Sequence, residues 1–175
     1  MHARDKRHAG DKGETSILGK RVQKDALVIE ALGSLDEVNS WLGVCKTKTN
    51  DTALTEYLLG MQQDLFIIQA EVGGAKVSLK KEKVDRLEEI ITTIDAVVPK
   101  QHVFCIPGGT DISAYLDYAR TVARRAERSV VAYNKEQPVN EFILTYMNRL
   151  SSTLYAMARY VNVKEGCPEK EPTYK

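Results

Sequence analysis

"ARTVARRAERSVVAY", residues 119–133, is the stretch on which the fold turns. Ala119, Val122, Ala126 and Val130 recur every three or four residues, a spacing that brings side chains onto one face of an α-helix. At about 100° per residue, Arg124 lies roughly 40° and Arg128 roughly 80° from Arg120, with Glu127 about 20° to the other side. One face is therefore apolar and the other is an arginine ridge, with Arg125 further round. Like charges at i,i+4 weaken a helix by roughly a few tenths of a kcal/mol, so solvated faces favour mixed signs. The planar fork of a guanidinium, by contrast, makes bidentate hydrogen bonds to phosphate. The ridge reads as a solvated face or as an anion cradle.

The same periodicity extends along most of the chain. "VIEALGSLDEVNSWLGVCK" places Leu35, Val38, Leu42 and Cys45 on one stripe, and Ser34 with Glu37 resembles a capping box inside it. "TALTEYLLGMQQDLFIIQAEVGG" places Leu58, Met61, Leu65 and Ile68 on another, with Asp51 or Thr52 as cap and Gly73-Gly74 as stop. "EKVDRLEEIITTIDAVV" is a third helix, ended by Pro99; the arginine helix starts near Thr110, and "VNEFILTYMNRLSSTLYAMARYVNV" is the fifth. No strand alternation is strong enough to build a sheet. Five long amphipathic helices with short connections predict an all-α, antiparallel five-helix bundle over residues 26–165. Residues 1–25 are read as an irregular glycine-containing arm and 166–175 as a loose tail.

At 175 residues, one core suffices. The net charge of +1 provides no bulk field for nucleic acid or a membrane surface, so charge acts by placement. Cys45, Cys105 and Cys167 are odd in number and widely spaced, which argues against a zinc site and for reduced thiols in a cytoplasmic protein. No apolar run approaches the ~20 residues of a membrane span, and "MHARDKRHAG" has no apolar signal core.

Three further stretches bear on chemistry. "GDKGETSILGKRVQKD", residues 10–25, brings Gly10 and Gly13 around Asp11 and Lys12, followed by Thr15 and Ser16 and then Lys20 and Lys24. It is not a Walker loop, but glycine N–H groups can nest an anion and Asp11 can help hold Mg²⁺. "FCIPGGT" combines Phe104, a Pro-Gly-Gly turn and a helix cap at Thr110. "MNRLSS" interrupts an apolar pattern with Asn148 and Arg149, polar groups that need partners. Asp36 on the first helix is placed to face Arg120 and lock it.

Together and in this order, "GDKGETS", "EALGSLDEVNSWLG", "FCIPGGT", "ARTVARRAER" and "MNRLSS" resemble the PduO-type ATP:cob(I)alamin adenosyltransferases, from about Gly10 to about Val163. The resemblance implies a homotrimer of five-helix bundles with active sites between subunits. It implies transfer of the 5′-deoxyadenosyl group of ATP to cob(I)alamin, assisted by Mg²⁺, giving adenosylcobalamin and triphosphate. Gly10, Asp11, Lys12, Gly13, Thr15, Ser16 and Lys24 are then nucleotide contacts, as are Arg128 and Asn148. Arg124 is the triphosphate arginine with Glu127 beside it, Arg120 pairs across to Asp36, and Phe104 keeps the lower face of the corrin free of its axial ligand. A reductase or a cobalamin-dependent enzyme is the implied partner. The sequence departs from the family at Arg7, His8 and Ala9, where a hydroxyl is expected, and at Asp117, where a histidine is usual. The altered arm keeps a non-catalytic carrier or sensor of nucleotide or adenosylcobalamin as the alternative.

Overall fold

A computed structural model describes residues 10–101 and 103–174. The chain forms a hairpin, β1 (Glu14–Ile17) and β2 (Lys20–Gln23), followed by α1 (Leu27–Lys48), α2 (Thr52–Val72), α3 (Lys81–Asp95), α4 (Asp111–Glu136) and α5 (Glu141–Lys164). The pairing of Ile17 with Lys20 leaves Leu18-Gly19 as a two-residue turn, with φ of 45° and 83°. The arm is thus not irregular as expected. Positive φ at both turn residues matches the right-handed twist of the strands and lets two four-residue strands pair.

Cross-links between helices fix their directions. Ser34 meets Ser129 at 3.2 Å and Glu37 meets Arg125, so α1 and α4 are antiparallel. Asn148 donates to Glu127 at 3.1 Å and Asn162 accepts from Thr110 N at 3.3 Å, which together set α5 antiparallel to α4. Lys164 reaches Asp51 at 2.6 Å, so the end of α5 lies beside the start of α2. One end of the bundle therefore gathers the start of α4 with the ends of α3 and α5, and the other gathers the starts of α1 and α5 with the ends of α2 and α4.

The expected stripes are the core. Leu35, Val38, Leu42, Cys45, Leu58, Leu65 and Ile68 are fully buried, and Met61 nearly so. Each contributes roughly 1.5–3 kcal/mol by leaving water. Ser34 lies within α1 rather than capping it, since the helix already begins at Leu27. Asp51 caps α2 through Leu54 N, and Thr110 with Ser113 forms a capping box on α4. Fully buried Tyr146 on α5 donates to Asp64 on α2 at 3.3 Å, and Asp64 pairs with Lys83 on α3 at 2.7 Å. This link secures α3, the shortest of the five helices. Among the described residues no helix is long and apolar enough to cross a membrane.

Candidate active site

The loop between α3 and α4 is held from three sides. Gly108 N donates to Asp117 on α4 at 3.1 Å, and Thr110 N donates to Asn162 Oδ1 on α5 at 3.3 Å. A Cβ at Gly109 would lie 2.5 Å from that same oxygen, at φ +141°, so only glycine lets the loop approach α5 this closely. Arg159 donates to Pro99 O at 2.8 Å and pairs with Glu169 at 3.0 Å, while Ile106 N donates to Lys170 O at 2.8 Å. The segment after α5 is therefore not the loose tail expected: one ion pair ties it to α5 and one backbone bond ties it to the loop. Burial pulls the Arg159 guanidinium downward, but Glu169 beside it outweighs this and holds it above its ordinary value.

This loop presents apolar groups to solvent. Phe104 is 81% exposed, Ile106 52% and Val103 48%. They form one wall of a cavity of about 580 Å³ whose opposite side carries Arg120, Arg124, Ser151 and Tyr155. Arg120 lies over the Tyr155 ring, 5.9 Å from its centre. Three of the arginines in the opening stretch have acceptors: Arg120 in Asp117 at 3.2 Å, Arg125 in Glu37, and Arg128 in the Arg124 carbonyl at 3.0 Å. Among the described residues the Arg124 guanidinium has no such partner, and it lines the cavity. An unneutralised guanidinium facing a cavity is a ready hydrogen-bond donor to a polyanion.

The expected Asp36–Arg120 lock is not formed within the chain. One residue along α1 is a rotation of about 100°, and it is Glu37 that faces α4 while Asp36 is exposed. Arg120 turns instead to Asp117, its neighbour at i−3. Asn148 is also exposed rather than buried; it donates to Glu127, and Arg149 extends the chain to Glu88 at 2.8 Å.

The arm lies elsewhere. Lys24 N donates to Gly13 O at 2.8 Å and Gly13 N to Gly10 O at 3.3 Å, so Gly10, Gly13 and Lys24 meet at the base of the hairpin around Asp11 and Lys12. Gly13 has φ +79°, a conformation glycine adopts without strain. Thr15 pairs with Val22, and the Ser16 hydroxyl accepts from Arg21 at 3.3 Å. The far end of the hairpin rests on α2: Ile17 Cγ2 lies 3.5 Å from where a Gly73 Cβ would be. Gly74 shares a second, small cavity with Tyr133 and Gln137 at the end of α4. At 1.5 Å per residue, Tyr133 is about 13 Å along α4 from Arg124 and about 24 Å from Asp117. One chain therefore brings Phe104, Arg120 and Arg124 together and leaves Gly10, Asp11, Lys12, Gly13, Thr15, Ser16 and Lys24 at the opposite end. Arg7, His8 and Ala9 lie outside the described residues.

A family model described as Cobalamin adenosyltransferase matches residues 6–161. The chain belongs to the cobalamin adenosyltransferase family. It is 37% identical over 170 residues to a corrinoid adenosyltransferase of Bacillus subtilis, covering 93% of this chain and 88% of that protein. It is also 37% identical to the corrinoid adenosyltransferase PduO of Salmonella typhimurium, over 86% of this chain and 47% of that longer protein. The fold agrees with a variant PduO-type ATP:corrinoid adenosyltransferase from Lactobacillus reuteri complexed with cobalamin and ATP, at a TM-score of 0.91, 34% identity and 95% coverage of each chain. A further variant from that organism, complexed with ATP, gives a TM-score of 0.90 over 99% of this chain and 100% of that one, at 35% identity.

Three positions that the sequence reading left without a role now stand in the site. Asp117 bonds both the Pro-Gly-Gly loop and Arg120, Asn162 fixes Gly108 through Thr110, and Arg159 joins loop, helix and C-terminal segment. A polar residue on an otherwise apolar helix face was the available signal for Asn162. Glu169, outside every periodic segment, carried none.

Proposed function

We propose that this chain transfers the 5′-deoxyadenosyl group of ATP to cob(I)alamin, releasing triphosphate. The observation that carries the reading is the cavity itself: the apolar wall of Val103, Phe104 and Ile106 opposes the unpaired Arg124. A flat macrocycle suits the first surface and a polyanion the second. The cobalt(I) electron pair attacks C5′, the C5′–O bond breaks, and its electrons leave on the triphosphate. No general base is required. The protein supplies in-line placement and stabilisation of the charge developing on the leaving group. Arg124 takes that charge, with Glu127 and Arg128 on the adjoining turn of α4 and Asn148 facing Glu127 from α5. Phe104 covers the lower face of the corrin and excludes its axial ligand, so that cobalt(I) is reached more easily.

The nucleotide also needs the arm, and in one chain the arm is at the wrong end. This supports a homotrimer in which the arm of one subunit, through Gly10, Asp11, Lys12, Gly13, Thr15, Ser16 and Lys24, closes on the arginine cavity of the next. Asp36, exposed and without a partner across α4, is then free to meet Arg120 of a neighbouring copy. Mg²⁺ on a nucleotide keeps several waters and needs one or two carboxylates besides phosphate. Asp11, at the glycine turn, fits that modest demand, and Mg²⁺ bound there would offset phosphate charge. A cytoplasmic setting, and a reductase or cobalamin-dependent enzyme as partner, belong to the same reading.

The test is an anaerobic assay of chemically reduced cob(I)alamin with MgATP, following loss of the cob(I)alamin absorbance and release of triphosphate. Activity in the wild type that collapses in Arg124→Ala is expected. An inactive wild type that still binds ATP or adenosylcobalamin would replace the enzyme with a carrier.

A further inference from the structure

A further cavity, of about 230 Å³, lies between α3 and α5. Ile91, Ile94 and Val98 of α3 and Ala156 of α5 form its apolar lining, and Asp95 stands at its exposed edge. It shares Ser152, Tyr155 and Arg159 with the large cavity, so the two spaces are contiguous across one row of α5 side chains. Nothing in the adenosyl transfer described above uses it. Its volume is below the roughly 300–1,000 Å³ of sites for drug-sized ligands, which restricts it to a fragment such as a single bicyclic ring. A depression of this kind, joined to a substrate cavity, suits a part of the same substrate.

The substrate has such a part. When the lower axial base of cobalamin leaves the metal, it remains tethered to the corrin by its nucleotide loop. It is a flat, apolar benzimidazole, and the nitrogen that leaves cobalt becomes a hydrogen-bond acceptor in need of a donor. We propose that the α3–α5 cavity receives this displaced base, an inference that rests on the adenosyltransferase reading above. Ile91, Ile94, Val98 and Ala156 cover the ring faces. The hydroxyls of Ser152 and Tyr155 and the guanidinium of Arg159, along the shared row, are the donors within reach of the freed nitrogen. Phe104 keeps the base off the lower face of the cobalt, and this cavity retains it away from the metal, which lowers the tendency of the base to return.

The experiment compares cobalamin with cobinamide, which lacks the base and its nucleotide loop. Equilibrium Kd values for both are read from the visible absorbance of the corrinoid, in wild type, Ile91→Trp and Ile91→Ala. Any cost of displacing the base is common to all three proteins and cancels in the comparison, as in a double-mutant cycle. Filling the cavity in Ile91→Trp is expected to weaken cobalamin by about tenfold or more and cobinamide by less than about twofold. Ile91→Ala is expected to give a smaller loss, again confined to cobalamin. An unchanged thermal midpoint and an unchanged Kd for ATP separate these effects from damage to the fold. Equal changes for both corrinoids, or none for either, would overturn the subsite while leaving adenosyl transfer standing. Failure of the wild type to adenosylate either corrinoid would instead sink the reading on which the subsite rests.

Discussion

At one end of the bundle the loop before α4 is tied to α4 by Asp117, to α5 by Asn162 and Arg159, and to the C-terminal segment by Lys170. At the other end the hairpin touches the bundle beside Gly73 and Gly74, at the end of α2, and its glycine base is exposed apart from Gly10. The first end is prepared before any ligand arrives, so little ordering cost remains when a rigid ring binds. In the proposed reaction the second closes on the nucleotide and opens to release triphosphate. On the proposed reading the two ends make a site half built in one chain and completed by another.

The largest effect is expected at the prepared end. Arg124→Ala should lower kcat/KM for ATP by about 10²–10³-fold, the loss typical of removing one preorganised charge-stabilising donor. The side chain is exposed, so the thermal midpoint should hardly move. A loss of stability in place of activity would make Arg124 structural. Phe104→Ala comes next. Turnover from cob(II)alamin with a reductant should fall by roughly tenfold or more, a barrier change of about 1.4 kcal/mol, with the KM for ATP unaltered. Unchanged turnover in that assay removes Phe104 from the mechanism and leaves its 81% exposure unexplained.

The closing end gives the third effect. Gly13→Ala forces a side chain onto φ +79°, a strain of roughly 1–2 kcal/mol. The KM for ATP should rise by about five- to thirtyfold in steady-state assays while Kd for corrinoid holds. A change in corrinoid affinity of the same size would mean that the two ends do not divide the substrates. The smallest effect concerns stability. Asp51 accepts from Lys164, which holds its carboxyl below the ordinary value; burial works against this, and the α2 N–H groups assist. Its contribution is therefore complete above the ordinary carboxylate range and is lost as pH falls through the lowered value. Asp51→Asn keeps a capping side chain and removes the ion pair. It should cost about 0.2–1 kcal/mol at neutral pH and flatten the acid limb of stability, measured by denaturant titration between pH 2 and 7.

The helices were legible because their stripes repeat over many turns: Leu35, Val38, Leu42 and Cys45 all fall on one line, and all are buried. The hairpin was not. Its strands are four residues long, and its turn is Leu18-Gly19 rather than the Asn-Gly or Asp-Gly that usually marks this geometry. For the site, the arginine ridge and the glycine loop could be read as chemistry, but which arginine stays unpaired depended on contacts between helices. Asp36 and Glu37 differ by one position and about 100° of rotation, too fine a distinction for a periodic pattern. The Arg159–Glu169 pair joins a helix to a segment without periodicity, and nothing local in the sequence announces it.

The central claim is that arm and cavity meet across subunits, and mixed oligomers test it most directly. Arg124→Ala chains would be co-expressed with chains carrying Lys12→Ala and Gly13→Ala, each inactive alone, and oligomers containing both purified through two different tags. If the arm of one subunit serves the cavity of its neighbour, each mixed trimer has one of its three sites with an intact arm and an intact Arg124, and adenosylation returns to about a third of the wild-type level. Mixed oligomers of confirmed composition that stay inactive would place arm and arginine in the same subunit and contradict the account.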